Sequence, residues 1–273
     1  IGVGSLYSNK ANGRSTAIGR NAMYYADNRT TGRDTYNTAV GFEALMGSST
    51  AANNTGRYNT AVGGQKLYNN TSRDTNTAMG CLALYNNTVG YNNTAIGMGS
   101  LFSNKANQES TAIGYQAMYY ANDQTSGGKT ENTAVGSEAL KGSSTPSNNT
   151  GTGNTAIGSS AMRDNTEGDN NTAVGSSSLL NNTTGWGNVA LGYWAMPNSE
   201  TGVKNIAIGS GAMRFSHEAS ENIAIGYEVL RSNSGNSRSI AIGHEAMYYA
   251  DDRTTGRQTF NIAIGYRALR GSY

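Results

Sequence analysis

Small, branched apolar and glycine positions recur along this chain as the tripeptide Ala-Ile/Val/Met/Leu-Gly. The motif glycines are Gly2, Gly19, Gly41, Gly63, Gly80, Gly97, Gly114, Gly136, Gly158, Gly175, Gly192, Gly209, Gly226, Gly243 and Gly265, and every interval between them is 17 or 22 residues. A fixed period near twenty residues is the mark of a solenoid or fibre, in which one short coil stacks on the next. Taking the motif glycine as position zero, Asn stands at −4 in most coils, from Asn37 and Asn59 to Asn222 and Asn261, and Ala stands at −2. A small residue is usual at +3 (Ala22, Ala44, Ala83, Ala117, Ala139), and Leu or Met follows at +4 (Met23, Leu45, Leu67, Leu84, Leu101, Met118, Leu140). A turn comes next, typically Asn-Asn-Thr-x-Gly, as in Asn86 to Gly90 and Asn181 to Gly185.

The motif predicts one short strand per coil. Side chains alternate across a strand, so −3 and −1 share one face while −4 and −2 share the other. Ala at −2 suits the inside of a thin coil, and Gly at zero permits a corner that a Cβ would obstruct. The Asn-rich segment is turn chemistry. Stacked at about 4.8 Å per strand, the Asn at −4 is placed to form a ladder, and about fourteen coils at that rise predict a rod on the order of 65–70 Å long.

Position −3 changes along the chain. It is Thr from Thr16 through Thr172 and then becomes Val189, Ile206, Ile223, Ile240 and Ile262. With −1 always apolar, the last third carries a continuous stripe that includes Ile206, Ile208, Ile223, Ile225, Ile240, Ile242, Ile262 and Ile264. A lone thin coil has no second layer to bury such a stripe. The expectation is that other copies cover it in a homotrimer, with these residues as its core.

The 22-residue coils carry two kinds of insertion, always in the turn. In one kind the turn glycine is Gly32, Gly127 or Gly256, and in the other it is Gly56 or Gly151. The order 17-22-22-17-17 occurs twice, which gives a longer period of 95 residues. The chain therefore reads as one repetitive segment, 1–273, made of super-repeats 1–95 and 96–190 and a divergent third copy, 191–273. It opens in the middle of a motif, and the expectation is a piece of a longer fibre.

Composition sharpens this picture. Apolar residues make up 36% and charged residues only 14%, while Gly alone numbers 36. Low hydrophobicity of this kind otherwise signals disorder, but a disordered chain has no reason to keep a strict period. A net charge of +2 implies no field for nucleic acid, and no apolar run is long enough to insert in a membrane. Cys81 is the single cysteine and takes a variable position after a motif glycine, where the pattern fixes nothing basic beside it; it reads as a tolerated free thiol. His217 and His244 lie in different coils, and no Ser/His/Asp, Cys/His, phosphate-loop or calcium-repeat pattern occurs. The expectation is no enzyme, no metal and no cofactor. The many Asn-Asn-Thr triplets match the glycosylation sequon but are already explained as turns.

The Asn-Thr-Ala-Ile-Gly and Asn-Ile-Ala-Ile-Gly units, closest at Asn205–Gly209 and Asn222–Gly226, resemble the head repeats of YadA-like trimeric adhesins, whose consensus runs Asn-Ser-Val-Ala-Ile-Gly. The longer form, as at Asn93–Gly97 with Ala83–Thr88 before it, is similar to repeats of phage-type trimeric tail fibres. The resemblance covers essentially the whole chain. It implies an all-β, left-handed parallel β-roll (β-solenoid) of 17/22-residue coils, packed as a trimeric fibre. The adhesin head repeat is shorter, so the turn corner here is larger.

The resulting expectation is a structural and adhesive fibre segment on a cell or virion surface, outside the cell, attaching to a host-surface glycan or protein receptor through a rigid multivalent rod. The Tyr pairs that open the first kind of insertion are its contact candidates: Tyr24, Tyr25, Tyr119, Tyr120, Tyr248 and Tyr249, with Arg29 and Arg253 beside two of them. Tyr with Arg on a projecting loop is common contact chemistry. The competing reading is that these rings pack over the coil edge. The alternative function is a purely structural filament or spacer without a receptor. A more distant one is an ice-binding solenoid, suggested by the Thr ladder, although each strand offers Ile, Val or Met where a second outward Thr is needed.

Overall fold

Every Thr/Val/Ile-Ala-apolar triplet forms a three-residue parallel strand, and within each unit successive strands pair in strict register. The structure, a computed structural model, describes residues 1–10, 13–72, 74–249 and 257–271, with Arg257 in its backbone only. The chain packs as two units. The first comprises 1–132 with 144–147, and the second comprises 133–143 with 148–273.

The first unit carries β1 (Thr16–Ile18), β2 (Thr38–Val40), β3 (Thr60–Val62), β4 (Thr77–Met79), β5 (Thr94–Ile96) and β6 (Thr111–Ile113). Thr pairs with Thr and Ala with Ala from β1 through β6, whether the intervening coil has 17 or 22 residues. The second unit carries β7 (Thr133–Val135), β8 (Thr155–Ile157), β9 (Thr172–Val174), β10 (Val189–Leu191), β11 (Ile206–Ile208) and β12 (Ile223–Ile225), followed by β13 (Asn236–Ser237), β14 (Ile240–Ile242), β15 (Arg257–Gln258) and β16 (Ile262–Ile264). Strands β7 to β12, β14 and β16 form its sheet, while β13 and β15 pair separately in the turn region. This is the parallel β-solenoid that the period predicts, with one coil per motif.

The core is made of columns. Ala at −2 and Ala at +3 are almost without exposure from coil to coil, and Leu or Met at +4 fills the space between them. The Asn ladder at −4 forms as expected and is the main polar strut. In Asn188, the side-chain Oδ1 accepts from the backbone N–H of Asn205 at 2.9 Å and from its Nδ2 at 3.1 Å, while Asn188 Nδ2 donates to the Gly202 carbonyl at 2.7 Å. Asn171 and Asn205 repeat this arrangement one coil before and one coil after. Each amide thus joins the strand to the turn and one coil to the next, so no buried polar atom of the strut is left without a partner.

Three coils carry Ser at −4 instead: Ser15, Ser110 and Ser239. Each precedes a coil with the first kind of insertion, and that coil supplies a Thr hydroxyl in place of the longer amide. Ser15 meets Thr35 at 2.5 Å, Ser110 meets Thr130 at 2.5 Å and Ser239 meets Thr259 at 2.6 Å. The second kind of insertion is held by one amide. Asn54 accepts from the Ser48 N–H and donates to the carbonyls of Ser48 and Tyr25, and Asn149 grips Ser143 in the same way in the second unit.

The residue at +4 adopts left-handed backbone in every coil, with φ between 46° and 53° from Leu6 to Leu269. Position +2 is left-handed throughout as well. Left-handed φ crowds a branched Cβ, which accounts for a buried column that uses Leu and Met and never Ile or Val. The motif glycines are held by close approach. At Gly175, φ is +130°, and a Cβ would lie 2.5 Å from the Gly192 carbonyl oxygen of the next coil.

Candidate functional site

The strand alternation that buries Ala and Asn turns −3 and −1 outward. In the first unit the outward rows are Thr, from Thr16 to Thr111, and a mixed apolar row, from Ile18 to Ile113. In the second unit the Thr row ends at Thr172. From Val189 and Leu191 onward both rows are aliphatic, in register through Ile206, Ile223, Ile240 and Ile262 and through Ile208, Ile225, Ile242 and Ile264. These isoleucines stand outside the coil and none is buried; Ile208 is 37% exposed and Ile264 is 68% exposed. The face is widened by the +1 column. Tyr193 is exposed, the Tyr227 and His244 rings stack at 5.0 Å, and Tyr266 meets His244 at 5.4 Å with the rings tilted. All eight isoleucines singled out from the sequence are therefore brought together on one face of the sheet.

The Tyr candidates are placed differently from a projecting loop. Tyr24 lies flat on Tyr7 at 4.8 Å, and Tyr119 closes a stack that runs Tyr68, Tyr85, Phe102, Tyr119 at spacings of 5.0, 5.6 and 4.9 Å. Tyr248 lies between the guanidinium groups of Arg231 and Arg270, 5.0 and 5.2 Å from its ring centre. The second ring of each pair, Tyr25, Tyr120 or Tyr249, meets the first edge-on. All six are half-buried. Arg29 grips the buried Asp27 carboxylate through Nε and Nη2. Burial pushes that carboxyl up, but the Arg29 hydrogen bonds, with Arg29 and Arg33 as neighbouring charges, more than offset this and hold it below its ordinary value. Arg253 lies outside the described residues.

One constellation escapes sequence spacing. Lys66 occupies +3, where other coils have Ala, Ser or Val, and it is only 3% exposed. Its Nζ fills the space that a Cβ on Gly63 would take, between the Gly63 and Gly80 corners. The ladder opens there: Gly80 N to Val62 O is 3.4 Å, against 2.6 Å for Gly63 N to Val40 O and 2.7 Å for Gly97 N to Met79 O. Burial pushes the Lys66 amine below the ordinary lysine range. The +1 position one coil before Cys81 is Gly64, where an added Cβ would meet only the Phe42 carbonyl, at 3.8 Å. Cys81 is exposed.

Among the described residues no group of three or more His, Cys, Asp or Glu side chains is arranged to hold a metal, and no helix is long and apolar enough to cross a membrane. Compared with known proteins, the chain matches no family model, no curated protein and no solved structure.

Proposed function

We propose that this chain is a structural segment of an extracellular fibre, on a cell or virion surface, whose copies pack as a homotrimer along the outward face of the second unit. The observation that carries this reading is the position of the isoleucines. Ten in-register aliphatic side chains, from Val189 and Leu191 to Ile262 and Ile264, face away from the coil's own core, with Tyr193, Tyr227 and Tyr266 beside them. An apolar surface this continuous is a feature of interaction faces rather than of monomer surfaces. A threefold arrangement closes such a stripe on itself without leaving an open edge. Sedimentation equilibrium tests it. The wild-type chain is expected at three times the protomer mass, and Ile223→Asp, which puts a charge in the middle of the face, is expected to shift the distribution to monomer. A wild-type chain that sediments as a monomer at all accessible concentrations removes the proposal.

A second role is attachment, with the Tyr-bearing insertions meeting a host-surface glycan or protein; the partial exposure of Tyr25, Tyr120 and Tyr249 supports it. The face-to-face stacking of Tyr24 and Tyr119 favours a plain spacer instead. Binding of the assembled chain to target cells, before and after Tyr25, Tyr120 and Tyr249 are replaced by Ser, separates the two. Unchanged binding leaves the spacer.

A further inference from the structure

We propose that a second Asn ladder, at position +7, is completed at its Ser199 rung by an internal water. The regular rungs set the pattern. Asn182 Nδ2 donates to Asn165 Oδ1 of the coil before at 2.6 Å and to the Gly185 carbonyl of its own turn at 3.0 Å. In the first unit Asn87 meets Asn70, and Asn104 meets Asn87, in the same way. Each Oδ1 therefore depends on an amide one coil further on. The next residue at +7 is Ala121 after Asn104, Ser199 after Asn182 and Ala250 after Asn233. Asn104, Asn182 and Asn233 are the ladder residues whose buried Oδ1 has no hydrogen-bond partner among the described residues.

The Ser199 rung carries a second unpaired group. Asn182 and Ser199 are both fully buried, and Ser199 Oγ has no partner either. Ser216, one coil on, turns its Oγ to the Met213 carbonyl at 3.0 Å instead. Two acceptors also meet at the Ser199 rung. A Cβ built on Gly168 would lie 2.4 Å from Asn165 Oδ1, from the Gly185 carbonyl oxygen and from the Asn182 Nδ2 that joins them. Built on Gly185, it would lie 2.4 Å from Asn182 Oδ1 and from the Gly202 carbonyl oxygen, and Ser199 brings no nitrogen to join these two. The Gly202 carbonyl accepts from Asn188 Nδ2 alone, whereas the Gly185 carbonyl accepts from Asn171 and Asn182. A serine side chain ends at the atom after Cβ, short of the place of an amide nitrogen. A water in that place donates to Asn182 Oδ1 and to the Gly202 carbonyl and accepts from the Ser199 hydroxyl. About three hydrogen bonds to buried polar groups is what an internal water ordinarily makes. Leaving those groups unpaired costs more than immobilising the water. All three partners are neutral, so nothing there offsets the dehydration of a cation.

Two measurements test it. In a high-resolution crystal structure of the wild-type chain, a solvent peak is expected within about 2.6–3.2 Å of Asn182 Oδ1, Gly202 O and Ser199 Oγ. In solution, oxygen-17 relaxation dispersion counts long-lived internal waters. Ser199→Asn is expected to lose one such water relative to wild type, with the new amide nitrogen standing in the solvent position and donating to Asn182 Oδ1. Thr172→Ala, on the outward row, is the control and is expected to lose none. If Ser199→Asn does not fold, the wild-type density decides. The proposal is overturned by wild-type density with no solvent peak among the three atoms, by a peak whose contacts are short enough for a metal ion, or by a folded Ser199→Asn chain with an unchanged count of long-lived waters.

Discussion

The Asn ladder makes Asn188→Ala the sharpest test of what holds the coils together. Asn188 is completely buried, and its amide makes one bond to the turn of its own coil, two to Asn205 of the next and one, from Nδ2 at 3.2 Å, to Asn171 Oδ1 of the one before. Truncation to Ala leaves the Asn205 backbone N–H without an acceptor in a dry interior and strips the Gly202 carbonyl of its donor. Asn205 Nδ2 keeps Ala219 O at 2.7 Å, and the backbone N–H of residue 188 keeps Asn171 Oδ1 at 2.9 Å, so the coils on either side retain part of the ladder. A buried donor left unpaired costs about 1–3 kcal/mol and each lost neutral bond about 1 kcal/mol, which together give a destabilisation of about 3–5 kcal/mol. Removing the outward hydroxyl in Thr172→Ala is the control, expected within about 0.5 kcal/mol of wild type. Urea unfolding followed by far-UV circular dichroism and by intrinsic fluorescence reads the difference. The two probes must coincide for a single free energy to apply to a repeat array. Amide hydrogen exchange adds a local readout: protection is expected to fall most at Asn205. A loss below about 1 kcal/mol, or unchanged protection at Asn205, would refute the ladder as the principal strut.

Two further outcomes follow from the backbone and from Lys66. Leu84→Ile conserves volume and would ordinarily cost under about 1.5 kcal/mol, but the left-handed φ of 50° at Leu84 opposes a branched Cβ, so a loss of about 2–3 kcal/mol is expected in urea titrations; Ile at the outward Val174 is the tolerated counterpart. The Lys66 amine titrates lower in the folded chain than its unfolded value of 10.5, so between the two values the unfolded state binds the extra proton and stability rises with pH. In a Cys81→Ser background, the wild-type Lys is therefore expected to gain on Lys66→Met as pH rises from the folded value toward 10.5, with a constant deficit below it; a pH-independent difference in melting temperature would contradict this.

Much of the fold was legible in the linear pattern because a solenoid repeats one local solution. Ala at −2, Asn at −4, Leu or Met at +4 and Gly at zero each announce a column, since the residue a thin coil tolerates on its inside is narrowly limited by size and by hydrogen-bonding capacity. The outward isoleucines were legible for the same reason: strand alternation sends Ile206 and Ile208 to one face once Ala207 is known to face in. The Tyr pairs show where this stops. Composition and loop position suggest projecting side chains, but stacking at the strand spacing lays Tyr24 on Tyr7 and Tyr119 on Phe102.

By itself, then, the sequence determined the period, the strand register and which columns face inward, because those depend on residues within one coil. Tertiary structure alone decided what depends on two coils meeting. The preference for Leu and Met over Ile at +4 comes from a left-handed backbone that only the closed coil imposes. Ser110 and Thr130 are 20 residues apart and replace an Asn only when an inserted coil lies over a Ser. Lys66 sits where the ladder to the next coil opens, with Gly80 N 3.4 Å from Val62 O, a distortion set by stacking and invisible to spacing along the chain.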